Sequence, residues 1–261
     1  MSPDHYAGAA QGWAEGATLV YGPIAEQLVA TSPHRLAGRV VLDLGAGTGA
    51  ASRALAALGA RPVAADLSLG MLEWDAGGRP PAVAADVRAL PFWRHAVDDC
   101  VAAFVFNHLA DPVAGMAEAV RITRPGGALL ACVFANVFHS EVRDAVDEAA
   151  GHEGWQVPGW YIEIKEQTIP ILGTSQDMAM TALAAGMVDV VVDERTVDVG
   201  VTQPEQLVRY RLGQAHFSTW LEQMSPERAV DVKTRIADAV RPIMHPYRPV
   251  VVFLSAVVPG N

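Results

Sequence analysis

Residues 40–50 read Val-Val-Leu-Asp-Leu-Gly-Ala-Gly-Thr-Gly-Ala, and this run constrains the fold more than any other part of the chain. An apolar stretch ends in a glycine-rich turn. Thr48 to Leu58 then shows helical spacing, with Gly59 placed as a C-cap. Strand, tight turn and helix in that order let a backbone press close against a nucleoside cofactor. Gly45, Gly47 and Gly49 permit positive φ and carry no Cβ to clash with it.

Four more strand-like runs follow, at Pro62–Asp66, Ala82–Ala85, Cys100–Phe106 and Ala128–Phe134. Between them, Ser68 opens a short helix, Asp111-Pro112 caps a helix to Ile122, and Pro125-Gly126-Gly127 makes a turn. Continuous apolar runs suit parallel strands covered on both faces. Alternating strands and helical connections, with right-handed crossovers, predict a doubly wound, mainly parallel sheet. Farther on, helices are expected at 138–150, 175–185, 204–224 and 226–243, and strands at 187–199 and 247–258. The expected fold is therefore α/β and Rossmann-like, with seven strands. A helix from Ala9 to Ala30, broken near Gly22-Pro23, precedes it. Four segments are expected: a helical lid (1–37), a core (38–135), a helical substrate cap with the sixth strand (136–246) and a closing strand (247–261).

At 261 residues the chain can bury a large core, and 51% hydrophobic with 18% charged residues marks a globular protein. The net charge of -10 argues against nucleic acid, which needs a basic face. No apolar run reaches the roughly 18 residues that span a bilayer, so no membrane partner is expected. Met1-Ser2-Pro3-Asp4-His5 lacks the basic and apolar regions of an export signal, which predicts a cytoplasmic protein. Cys100 and Cys132 are too few for a disulfide scaffold or a zinc site, and no metal is expected. A monomer or homodimer acting on a small molecule is the expectation.

Ligands of such sheets lie at the carboxyl ends of the strands. Asp43, Asp66, Asp86 and Asn107 all fall at or near such ends. Gly45-Ala46-Gly47-Thr48-Gly49-Ala50 also satisfies the dinucleotide pattern of NAD enzymes. Two features count against that reading. Asp43 sits inside the strand where those sites carry an apolar residue, and Asp86 has no role in NAD binding.

The ordered set resembles the class I S-adenosylmethionine (SAM)-dependent methyltransferases, of the small-molecule group that includes ubiquinone and menaquinone methylases. Residues 41–49 resemble that family's first motif and Asp66-Leu67-Ser68-Leu69-Gly70-Met71-Leu72 its second. Asp86-Val87-Arg88-Ala89-Leu90-Pro91-Phe92 resembles the third, and Asn107 to Pro112 and Arg124 to Gly127 the next two. The resemblance implies SAM as cofactor. It implies Asp66 on the ribose hydroxyls, Asp86 and the Val87 N–H on adenine, and Leu67 and Met71 over the adenine faces. Asp43 and the turn from Gly45 through Ala46, Gly47 and Thr48 to Gly49 would hold the methionine end, with Asn107 nearby.

Methyl transfer needs alignment and exclusion of water, and a base only where the nucleophile must lose a proton. His108 and His139, each beyond a strand end, are the catalytic candidates. His216 and His245 lie in a less constrained part. Tyr6, Trp13 and Tyr21 would cover the cofactor. Trp155, Trp160, Tyr161, Tyr210, Phe217 and Trp220 would wall an apolar substrate or belong to the core. The acceptor is expected to be a small apolar or aromatic metabolite, in bacterial secondary metabolism. The same fold could instead hold SAM for a cyclisation or decarboxylation, or serve as a non-catalytic SAM-responsive module.

Overall fold

The computed structural model describes residues 4–260. Met1–Pro3, where the expectation about an export signal begins, lie outside the described residues, as does Asn261.

Seven strands form one sheet: β1 (Val40–Leu44), β2 (Arg61–Asp66), β3 (Ala82–Ala84), β4 (Asp99–Ala103), β5 (Ala128–Phe134), β6 (Val188–Thr196) and β7 (Val250–Val257). Their order is β3-β2-β1-β4-β5-β7-β6. β1 pairs in parallel with both β2 and β4, while β7 runs antiparallel to its neighbours β5 and β6. The expected Rossmann-like, mainly parallel architecture is therefore present. The strand order reverses between β1 and β4, which fixes where a crevice opens.

Helices cover both faces. They are α1 (Asp4–Ala7), α2 (Ala10–Gly12), α3 (Thr18–Val29), α4 (Ala50–Ala57), α5 (Leu69–Glu73), α6 (Pro112–Ile122), α7 (Glu141–His152), α8 (Gly159–Gln167), α9 (Ser175–Ala184), α10 (Pro204–Leu212), α11 (Ala215–Glu222) and α12 (Pro226–Val240). Successive strand residues point to opposite faces, and the core divides accordingly. Val41, Val101, Leu130 and Phe253 pack with Leu28, Leu55, Val146 and Ile236 of α3, α4, α7 and α12. Leu42, Cys100, Leu129 and Leu254 pack with Met116 and Ile122 of α6 and Met178 of α9. Each fully buried Leu or Ile among them contributes about 1.5–3 kcal/mol.

Several expected boundaries move. The N-terminal helix is not broken at Gly22-Pro23, because Pro23 lies inside α3. Val20, Ile24, Ala25 and Leu28 of that helix are fully buried, and their packing outweighs the lost N–H. The irregularity sits earlier, in a π-helical turn at Trp13–Ala17. β4 stops at Ala103 because Phe104 takes φ +60, and Phe106–His108 form a 3-10 turn. Residues 204–224 form two helices rather than one. Gly213 ends the first where it packs against the Gly12 backbone, leaving no room for a Cβ. α7 begins at Glu141 because the Ser140 hydroxyl accepts from Arg143 N at 3.3 Å. Tyr247 precedes β7 and makes only an isolated bridge to Val201.

Candidate functional site

A cavity of about 550 Å³ opens at the carboxyl ends of β1, β2 and β4. Its floor is the turn after β1. Gly45, Gly47 and Gly49 take φ of +61, +52 and +91, conformations that a residue with a Cβ rarely adopts. A Cβ on Gly45 would overlap the Val105 side chain, whereas one on Gly47 would meet only Trp13 Nε1, at 3.8 Å. Gly47 thus leaves open space against the backbone, the cradle a cofactor requires.

Asp66 ends β2 and faces this turn. Its Oδ2 accepts from Gly47 N and its Oδ1 from Ser68 N, both at 2.8 Å. Each oxygen keeps a second lone pair, which suits two neighbouring hydroxyls. Burial raises its pKa, against the backbone N–H groups of Ser68 and Gly47. Asp43 is 1% exposed and accepts from Ser52 Oγ at 2.6 Å. Burial pushes its carboxyl up to about 7. A buried, half-titrated carboxylate beside a glycine cradle suits an ammonium group.

Asp86 lies just past β3 and carries its own cation. Arg88 donates to it through Nε at 3.0 Å and Nη2 at 2.6 Å, which holds the Asp86 carboxyl below its ordinary value. Leu67, Met71 and Val87 line the same end of the cavity. α1 packs onto α5 there so closely that a Cβ on Gly70 would meet the Ala7 carbonyl at 2.6 Å.

Of the expected cofactor residues, the cavity brings together Asp43, Gly45, Ala46, Gly47, Asp66, Leu67, Met71, Asp86 and Val87. Thr48 and Asn107 are buried behind the wall, where Thr48 Oγ1 and Asn107 Oδ1 have no hydrogen-bond partner. Gly49 caps α4 and turns the chain without lining the space.

The two histidine candidates separate. His108 lines the cavity, its Nδ1 is buried without a partner, and burial lowers its pKa to about 4. His139 is not among the lining residues. Its side chain is 81% exposed and its Nδ1 lies 3.3 Å from Asp144. His216 is buried against Tyr161, with ring centroids 3.7 Å apart, and His245 is exposed. Neither lines the cavity. Tyr6, Trp13 and Tyr21 all reach it, and of the expected wall residues Trp160 does too. Trp155, Tyr210 and Phe217 are core, Trp220 packs against that core, and Tyr161 faces His216.

Sequence reasoning passed over Arg79, Arg88, Ser52 and Phe104. Arg79 donates to the carbonyls of Met71, Leu72 and Gly47 at 2.9, 2.7 and 3.0 Å. Ser52 had a usable signal, because it lies one turn into the helix that follows the glycine turn. Arg79 had none.

Comparison with known proteins fits this geometry. Residues 42–131 match the methyltransferase domain family model. Demethylmenaquinone methyltransferase from Mycobacterium sp. (strain JLS) is 45% identical over 97 residues, covering 37% of this chain and 42% of that protein. The homologue from Mycolicibacterium gilvum (strain PYR-GCK) is 46% identical over 94 residues, 36% and 41% of the two chains. The chain thus spans about two-fifths of the length of the curated relatives it matches. Among solved structures, a putative methyltransferase from an antibiotic biosynthesis pathway of Anabaena variabilis has a TM-score of 0.62 at 15% identity. That alignment covers 91% of this chain and 99% of that one. Haemonchus contortus phosphoethanolamine N-methyltransferase 2, in complex with S-adenosyl-L-methionine, has a TM-score of 0.57 at 19% identity, covering 91% and 52%. Residues 42–131 thus carry a methyltransferase domain, and in sheet order and ordered motifs the chain is similar to the class I SAM-dependent methyltransferases.

Proposed function

We propose that this protein transfers a methyl group from SAM to a small, apolar or aromatic acceptor. One observation carries the reading. The glycine cradle, Asp43, Asp66 and Asp86 line the same cavity as the aromatic rings and His108.

In this reading Asp66 holds the ribose hydroxyls, and Asp86 with the Val87 N–H recognises adenine. Leu67 and Met71 cover the adenine faces. Asp43, Gly45, Ala46 and Gly47 take the methionine end. Thr48, Gly49 and Asn107 support these from behind. Bound SAM supplies the electrophilic methyl group and its leaving group. Tyr6, Trp13 and Trp160 exclude water, which strengthens every polar contact inside. His108 serves as a neutral hydrogen-bonding group at the acceptor. His139, exposed and paired with Asp144, takes no part.

We read the chain as a lid (1–37), a core (38–135), a substrate cap (136–246) and a closing strand (247–261). The net charge of -10 supports an absence of nucleic-acid partners. Among the described residues no helix is long and apolar enough to cross a membrane. We infer a cytoplasmic monomer or homodimer in bacterial secondary metabolism, and the use of arginine over lysine fits a GC-rich bacterial genome.

Release of S-adenosylhomocysteine (SAH), followed with a panel of small aromatic acceptors, tests the reaction. Acceptor-dependent SAH is expected. Acceptor conversion without SAH would point to cyclisation or decarboxylation instead.

A further inference from the structure

The acceptor side of the cavity is built for positive charge. Rings run without a break from the end of β4 to α3. The His108 imidazole meets Tyr6 edge-on with centroids 6.4 Å apart, and Tyr6 meets Trp13 at 5.7 Å. Trp13 stacks on Tyr21 at 5.2 Å, and Tyr21 meets Phe104 at 4.9 Å. All five line the cavity, and Trp160 of α8 stands 6.3 Å from Tyr6. Ring faces attract a cation within about 6 Å. Glu163 of α8 adds a carboxylate to the same wall. Among the described residues no lysine lines the cavity, and its one arginine, Arg88, is held by Asp86 at the opposite end.

Two imidazoles line the cavity, His108 and His5, and His5 stacks on Trp160 with centroids 4.6 Å apart. With a pKa near 4, His108 stays neutral at physiological pH. Such an imidazole does not ionise a phenol or hydroquinol, whose pKa lies near about 10. An acceptor oxygen would find no lysine and no unpaired arginine on this wall to hold an oxyanion.

We propose that the acceptor atom is the uncharged nitrogen of an amine carried on an apolar or aromatic body, a proposal that rests on the SAM reading of the cavity. The nitrogen lone pair forms the bond to the methyl carbon. The sulfur–methyl bond breaks and its electron pair stays on sulfur. The amine gives up any extra proton to solvent before it reacts; positive charge then moves from sulfur to nitrogen, and the product leaves as an ammonium ion. The charge stays among the rings from start to finish, so they stabilise reactants, transition state and product. With an anionic acceptor the charge would be cancelled and that stabilisation lost. His108 has one ring nitrogen free to accept from an amine N–H.

Calorimetric titration of the SAH-loaded protein with N-methylphenethylammonium, 2-phenylethanol and 3-phenylpropionate tests this. The ammonium ion is expected to bind at least about tenfold tighter than the alcohol, a preference within reach of ring faces in a desolvated site. The carboxylate is expected to bind weakest. Equal or tighter binding of the alcohol or the carboxylate would overturn the proposal. So would failure of the ammonium ion to bind a protein that has taken up SAH. Failure to bind SAH at all would instead overturn the cofactor reading beneath it.

Discussion

Arg79 Nη2 donates to the carbonyl of Gly47 at 3.0 Å, across 32 positions of sequence. Through Nη1 the same guanidinium holds the carbonyls of Met71 and Leu72. It therefore ties the glycine turn to the end of α5, the two elements assigned to opposite ends of the cofactor. Its charge also opposes the burial that raises Asp43 and Asp66. Arg79→Ala is expected to weaken SAM binding about tenfold, a loss of ~1.4 kcal/mol. Arg79→Lys should recover only part, because one ammonium cannot reproduce the planar fork. Calorimetric titration of the two variants checks both statements.

In the proposed reading, Asp43 makes SAM binding depend on pH. Its carboxyl titrates near 7, and only the ionised form attracts an ammonium group. Affinity should rise as pH increases through 7 and fall below it. The folded state without ligand responds in the opposite sense. Burial favours protonated Asp43, so its contribution to stability falls as pH rises from the ordinary carboxylate range through about 7. Asp43→Asn should therefore raise the Tm at pH 8 by a few degrees while removing the pH dependence of SAM affinity. Thermal melts and titrations at pH 6, 7 and 8 would show this.

His108→Ala should lower turnover far more than SAM affinity, since the imidazole faces the acceptor side through its contact with Tyr6. Titration of His108 should not shape the rate between pH 6 and 8, because its pKa lies near 4. Turnover within about twofold of wild type would remove it from the site.

Gly16 packs against the Arg209 backbone, and a Cβ there would overlap the Arg209 carbonyl oxygen. This contact seats the π-helical turn on α10 and so sets the position of Trp13. Gly16→Ala should destabilise the fold by about 1–3 kcal/mol. Denaturant unfolding measures the loss.

The strands and the cofactor-side acids were legible because their signals are local. An apolar run, a glycine turn and an acid at the next two strand ends need no tertiary knowledge to place Asp43, Asp66 and Asp86. His108 and His139 look alike in sequence, since each follows a strand. Only packing turns the first into the cavity beside Tyr6 and the second outward to Asp144. Arg79 carries no motif, and its three carbonyl partners come together only once the turn and α5 are folded. The split at Gly213 was hidden for the same reason, because the backbone it meets belongs to Gly12, two hundred positions earlier. Phe104 was read as one more strand residue, yet its positive φ ends β4 and brings the ring to Tyr21.

The central claim is that the glycine turn and Asp66 hold SAM. Calorimetric titration of the wild type and Asp66→Ala with SAM, with NAD as the control, tests it most directly. The account predicts that wild type binds SAM and not NAD, and that Asp66→Ala loses well over tenfold, more than about 1.4 kcal/mol. Equal SAM affinity in the two proteins, or binding of NAD in place of SAM, would contradict it.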